Sequence, residues 1–254
     1  MKTVLFVAAL ALAAAGGACA RHTERRADAP MEMGAMDSSD APASRAAHEA
    51  MNGPLVTDPH LVLTPTRPGT AADSARAGAV LVAMRSALAP FADVAHAEAA
   101  GFRQFLPGVK QPVYHFTNWR WALEEMFRFD PAKPTSLLYR PEANGGLRLV
   151  GAMYTAPARA SSEALDRRLP LSVVHWHEHV NWCVPPRGQG ERWRETRNGQ
   201  PVFGPKSPIA TADACAAVGG RFLPRLFGWM VHVMAFESDD PRVIWGAGHE
   251  HGHS

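Results

Sequence analysis

The sequence predicts an α+β fold: a mainly antiparallel sheet or partial barrel flanked by short helices, in one domain. Three observations predict it. Helix-like and strand-like stretches are mixed without the regular alternation of a parallel sheet. Turn signals such as Asn144-Gly145-Gly146 join neighbouring strand-like runs, as hairpins do. The run Val174-His175-Trp176-His177-Glu178-His179-Val180 repeats histidine at the two-residue period of a strand.

An export segment precedes the domain. Met1 and Lys2 lead into an apolar run over 4–15, the length of a secretory signal and short for a membrane span. Ala18-Cys19-Ala20 offers two routes. Cleavage after Ala20 releases a soluble periplasmic protein; cleavage before Cys19 and lipidation of its thiol give an outer-membrane lipoprotein tethered there. Residues 1–20 are assigned to this signal peptide. Residues 21–70, rich in Ala, Pro, Asp, Ser and Met, read as a disordered linker. Its Met31, Met33 and Met36 are soft thioethers suited to Cu(I), although low complexity explains them as simply. The domain is placed at 71–247, enough chain for one core. Residues 248–254 form a tail with His249, His251 and His253.

Within the domain, Thr70 and Asp73 form a capping signal for a helix that carries Ala79, Val80, Val82, Ala83 and Leu88 inward and ends at Pro90. A second helix spans 91–100 and stops at Gly101. Residues 112–117 read as a strand. An amphipathic helix over 118–128 carries Trp119, Trp121, Leu123, Met126 and Phe127. Strands at 136–139 and 147–154 flank the Asn-Gly-Gly turn. Ser161 opens a short helix to Arg168. The histidine strand is placed at 171–184. A polar loop with Trp193 fills 185–208. Thr211 caps a helix with Cys215 that ends at Gly219-Gly220, and 226–237 is an apolar strand.

Export leaves Cys183 and Cys215 as an even pair in an oxidising compartment, so a disulfide is expected. Closing that loop contributes about 3–4 kcal/mol on the chain-entropy model. The alternative makes Cys183 a thiolate metal ligand, because it follows His179 closely. Net charge is +2 with no basic stripe, which argues against nucleic acid as a partner. Protein partners are not specified by any motif.

His115, His175, His177, His179 and His232 all fall in or beside predicted strands. Imidazole is the commonest neutral metal ligand. One imidazole from each of several adjacent strands could converge on one transition-metal ion, copper or zinc first and iron after them. Successive same-face residues stand roughly 6.5–7 Å apart, so two of the strand histidines tilt onto one ion more readily than three. His175 and His177 are therefore the expected chelating pair, with His115 or His232 completing the site and His179 a third ligand or a neighbour. Glu178 points to the opposite face. Asn118, Glu124 and Glu125 are candidates to support the ligands through hydrogen bonds, with a helix cap and a solvated helix face as their plainer roles. Nothing in the spacing singles out a catalytic residue.

The His175-x-His177 pair is similar to the first motif of cupins, but Asn181 and Trp182 stand where a cupin expects glutamate, so the similarity is one of site geometry. A broader match is carried by Phe91-Ala92-Asp93-Val94 to Gly101-Phe102, Tyr114-His115-Phe116 with Asn118, Asp130-Pro131 to Leu138-Tyr139, residues 147–150, and Val231-His232-Val233 with Asp240-Pro241 and Trp245. These elements resemble an uncharacterised family of exported bacterial proteins. The resemblance implies one exported domain, singles out His115 and His232, and implies no activity. Three functions stay open: an exported metal-binding protein, a metal-dependent oxidoreductase or hydrolase using the same site, and a metal-free interaction domain.

Overall fold

The computed structural model describes residues 59–105, 107 and 111–246. The expected signal peptide, the methionine cluster at 31–36 and the histidine tail lie outside the described residues.

β1 (Leu61–Leu63) pairs antiparallel with the histidine strand. The fold thus reaches back before residue 71, where the linker was expected to end. Three residues are too few to display a period. α1 (Ala71–Leu88) starts as expected: Thr70 Oγ1 accepts from the Asp73 amide while Asp73 accepts from the Thr70 amide. Arg67 clamps this corner by donating to Asp73 and Asp166 together, and holds both carboxyls below the usual carboxylate range. The buried stripe of α1 is Ala77, Met84 and Leu88, which matches the expected face only in part: Leu88 is buried and Val80 packs against the core, whereas Val82 is 69 % exposed and Ala79 and Ala83 face outward. Alanine on every side of this helix blurs the apolar face in the sequence.

The expected second helix is divided. A 3₁₀ segment, Ala89–Ala92, takes Pro90 in its first turn; Asp93 then caps α2 (Val94–Ala99), which ends at Gly101 with φ +95°. β2 (Arg103–Gln104) and β3 (Tyr114–Thr117) follow. α3 (Trp119–Glu125) is shorter than expected and keeps only part of the expected face: Trp121 packs against Phe102 and the core, Ala122 and Glu125 are buried, while Trp119, Leu123 and, just past the helix, Phe127 are exposed. β4 (Ser136–Pro141) and β5 (Leu147–Ala156) form the expected hairpin. α4 (Ser162–Arg168) opens on Ser161.

β6 (His177–Val184) is shorter than the expected 171–184, because Val173 and Val174 donate to the Pro170 carbonyl in a turn. His175 therefore lies outside the strand. The stretch expected as loop contains a small hairpin, β7 (Thr196–Arg197) and β8 (Gln200–Pro201), turned by Asn198-Gly199 with φ positive at both residues. α5 (Ala212–Ala217) is capped by Thr211. β9 (Arg221–Arg225), β10 (Trp229–Val233) and α6 (Pro241–Trp245) complete the described chain, so the apolar strand expected over 226–237 is the shorter β10.

The sheet has eight strands, ordered β1-β6-β10-β5-β4-β3-β2, with β9 on the far half of β6, and the pairs are antiparallel. It is an open α+β sheet, not a closed barrel. The disulfide expected between Cys183 and Cys215 is present, with Cα atoms 5.4 Å apart, and ties β6 to α5. Cys183 is thereby unavailable as a thiolate ligand.

Cross-strand register sorts the side chains into two faces. Phe116, Leu137, Ala152 and Val233 form one row, with Tyr154 and Val231 beside it. This face packs with Met84, Leu88, Phe102 and Trp176 into the main core. The opposite face carries a smaller cluster of Leu138, Val150, Met153, Met230 and Met234.

Candidate metal site

The second face also carries histidine. His177 stands opposite Met230, which stands opposite Thr155; His232 stands opposite Met153, which stands opposite Ser136. His115 stands opposite Leu138. Alternation then places His115, His177, His179 and His232 on one side of the sheet, and all four are buried.

His115 on β3 and His232 on β10 are separated by two intervening strands. At a spacing of about 4.8 Å per strand, a flat sheet would hold them roughly 14 Å apart. Their Nε2 atoms are 3.3 Å apart. The sheet therefore curls over this face. Part of the curl comes from a bulge, where Val150 is the extra residue between the Leu138–Gly151 and Tyr139–Leu149 pairs. Gly151 makes the bend possible: a Cβ there would lie 2.2 Å from the Val233 carbonyl oxygen.

The four imidazoles form a continuous series. Ring centroids are 5.4 Å apart for His115 and His232, 5.4 Å for His232 and His177, and 5.5 Å for His177 and His179. Beyond His179 the chain bends at Asn181, a non-glycine residue at φ +58°, and the Trp182 ring lies 5.8 Å from the His179 ring. Asparagine tolerates this left-handed backbone better than most residues.

The expected pair of His175 and His177 is not the pair that meets. His175 Nδ1 donates to the Thr64 carbonyl, and its ring is part-buried beside β1. His177 faces His232 and His179 instead. Glu178 points away from this face, as its place in the strand requires, and forms an ion pair with Arg225 at 3.2 Å; burial raises its pKa. A further buried histidine, His60, donates through Nε2 to the Ser207 carbonyl at 2.6 Å.

The residues expected to support ligands have other duties. Asn118 caps α3 and donates to the Ala100 carbonyl. Glu124 pairs with Lys133 and Arg120 at the surface, which lowers its pKa. Glu125 accepts from Thr135 Oγ1 and the Thr155 amide, and its burial pushes the carboxyl up to about 8. Thr155 shares a row with Met230 and His177, so Glu125 reaches the edge of the histidine face through that residue.

Among the described residues, no group of three or more His, Cys, Asp or Glu is gathered to hold a metal ion. The pair that does meet has a telling separation. Two nitrogens bound to a tetrahedral ion at about 2.0–2.1 Å stand roughly 3.3 Å from each other. The same distance suits one imidazole donating a proton to the other.

No protein-family model, no curated protein and no solved structure matches the chain.

Proposed function

We propose that the chain is an exported metal-binding protein that holds a copper or zinc ion on the histidine face of its sheet. The observation that supports this most is the Nε2–Nε2 distance of 3.3 Å between His115 and His232, which are far apart in the chain and separated by two strands. A buried histidine can be met by a backbone carbonyl, as His60 is by that of Ser207. Here one ring is turned toward another, and a third, His177, stands beside them. His115 and His232 are the core pair, with His177 moving in by side-chain rotation to complete the set and His179 behind it. Export agrees with the disulfide, which belongs to oxidising compartments, and with the signal-like start of the sequence.

Zn(II) and Cu(II) titrations of the full chain test this reading, with His249, His251 and His253 replaced by alanine to remove tail chelation. One ion bound per chain, with affinity falling at least tenfold in both His115→Ala and His232→Ala, is the expected result; a loss of about 1.4 kcal/mol corresponds to that factor. Equal affinity in parent and variants would leave the proton-sharing pair of a metal-free domain. An oxidoreductase or hydrolase using the same ion is the second reading, since a bound metal acidifies water or activates oxygen. Turnover of phenol, ester or phosphoester panels that vanishes in His177→Ala would favour it.

A further inference from the structure

The histidine face is also a methionine face. Met230 stands directly across from His177, and Met153 directly across from His232. Directly opposed side chains on an antiparallel pair have Cβ atoms about 4.5–5.5 Å apart. Met234, two residues beyond His232, belongs to the same buried cluster as these methionines. All three are buried. In the sequence two of them flank a histidine as Met230-x-His232-x-Met234, a strand-period alternation of thioether and imidazole.

We infer that the ion of this site is Cu(I), bound by the imidazoles of His115 and His232 together with the thioethers of Met153 and Met230. This rests on the metal-binding reading above, keeps its His115–His232 pair, puts two thioethers in the place given there to His177, and gives the site a specific cation. The chemistry decides the choice. His, Cys, Asp and Glu alone do not make a three-ligand set among the described residues. The cross-strand neighbours of His232 and His177 are the thioethers of Met153 and Met230, which are soft, uncharged donors, while His115 stands across from Leu138. Soft sulfur ligands select Cu(I), whereas zinc sites are built from imidazole, thiolate and carboxylate. A neutral ligand set also suits a monovalent cation, since a buried site then carries one net charge instead of two. Methionine adds reach, because its three rotatable bonds let sulfur swing toward an ion without moving the strand.

The test uses the full chain with the three tail histidines replaced by alanine and Met31, Met33 and Met36 replaced by leucine, so that neither terminus contributes ligands. Cu(I) affinity is measured anaerobically against a chromophoric Cu(I) chelator, and Zn(II) affinity in parallel, for this parent, Met153→Leu/Met230→Leu and His115→Ala/His232→Ala. Leucine conserves volume, and circular dichroism checks that each variant folds. The inference predicts Cu(I) binding at least tenfold weaker in the leucine variant, with Zn(II) binding unchanged. It also predicts copper–sulfur scattering in the X-ray absorption spectrum of the parent that is lost in that variant. Undiminished Cu(I) affinity and an all-nitrogen spectrum in the leucine variant and parent, with binding lost in the histidine variant, would overturn the thioether assignment and leave the histidine site standing. Undiminished Cu(I) and Zn(II) binding in the histidine variant would overturn both.

Discussion

The two faces of the sheet solve opposite problems. One is an apolar layer: Leu137, Ala152, Tyr154, Val231 and Val233 meet Met84 and Leu88 from α1 and Phe102 from the turn after α2, with Trp176 fully buried among them. The other buries four imidazoles and three methionines over a curled surface. Burying imidazole costs free energy unless its nitrogens find partners. The first face therefore stabilises the fold, and the second draws on that stability to hold polar groups in a shape the chain would not otherwise adopt. Gly151 and the bulge beside it sit where the sheet must bend for His115 to reach His232.

The largest effect that sharpens this contrast is expected on the apolar face. Trp176→Ala should cost about 3–5 kcal/mol in urea unfolding, with or without metal. Met230→Leu on the other face should cost less than about 1.5 kcal/mol in metal-free protein, because volume is conserved. A larger loss from Met230→Leu than from Trp176→Ala would reverse the assignment of roles.

Removing the staple comes next. Cys183→Ser with Cys215→Ser should cost about 2–5 kcal/mol and leave ion affinity unchanged, since the bridge lies on the β6–α5 side. A parallel loss of ion binding in the folded variant would show that the staple positions the histidines.

Glu125 gives a smaller effect that depends on pH. Its carboxyl is raised from 4.5 to about 8 in the folded state. Between those values the folded chain binds more protons than the unfolded chain, so stability falls as pH rises. The contribution is fully present below 4.5 and lost as pH passes through about 8. Melting curves at pH 5.5 and 8.5 should differ more in the parent than in Glu125→Gln, which has no proton to release. Equal pH dependence would mean that the buried carboxyl is already ionised in the fold.

The smallest effect belongs to the exposed stripe of α3. Leu123→Lys and Phe127→Lys should each change stability by no more than about 0.5 kcal/mol, because both side chains already face solvent. A larger loss would show that the stripe is covered in solution.

Much of this arrangement was legible in the sequence, and the reasons for the rest are local. Thr70, Ser161 and Thr211 announced their helices, because a capping side chain acts within a few residues of itself. The disulfide followed from counting the cysteines left once the start of the sequence is read as an export signal. The open antiparallel sheet followed from mixed elements joined by turns. The orientation of α3 followed only in part: Trp121 packs inward as expected, but the two fully buried residues are a small alanine and a glutamate whose partners, Thr135 and Thr155, come from elsewhere in the chain. At the site, His115 and His232 were named, but their meeting required the curl of the sheet, which no local period encodes. His175 was misplaced by the Pro170 turn, which starts the strand later than the histidine spacing suggests. Met153 and Met230 drew no separate notice within their strands, although the alternation of Met230, His232 and Met234 was visible in the sequence.

Elemental analysis bears most directly on the central claim. The full chain, with His249, His251 and His253 replaced by alanine, is purified without chelators from the exported fraction of the cells that make it. The same is done for a His115→Ala/His232→Ala variant. The account predicts close to one copper or zinc per parent chain, with nothing comparable in the variant. A metal-free parent, or equal metal in both proteins, would contradict it.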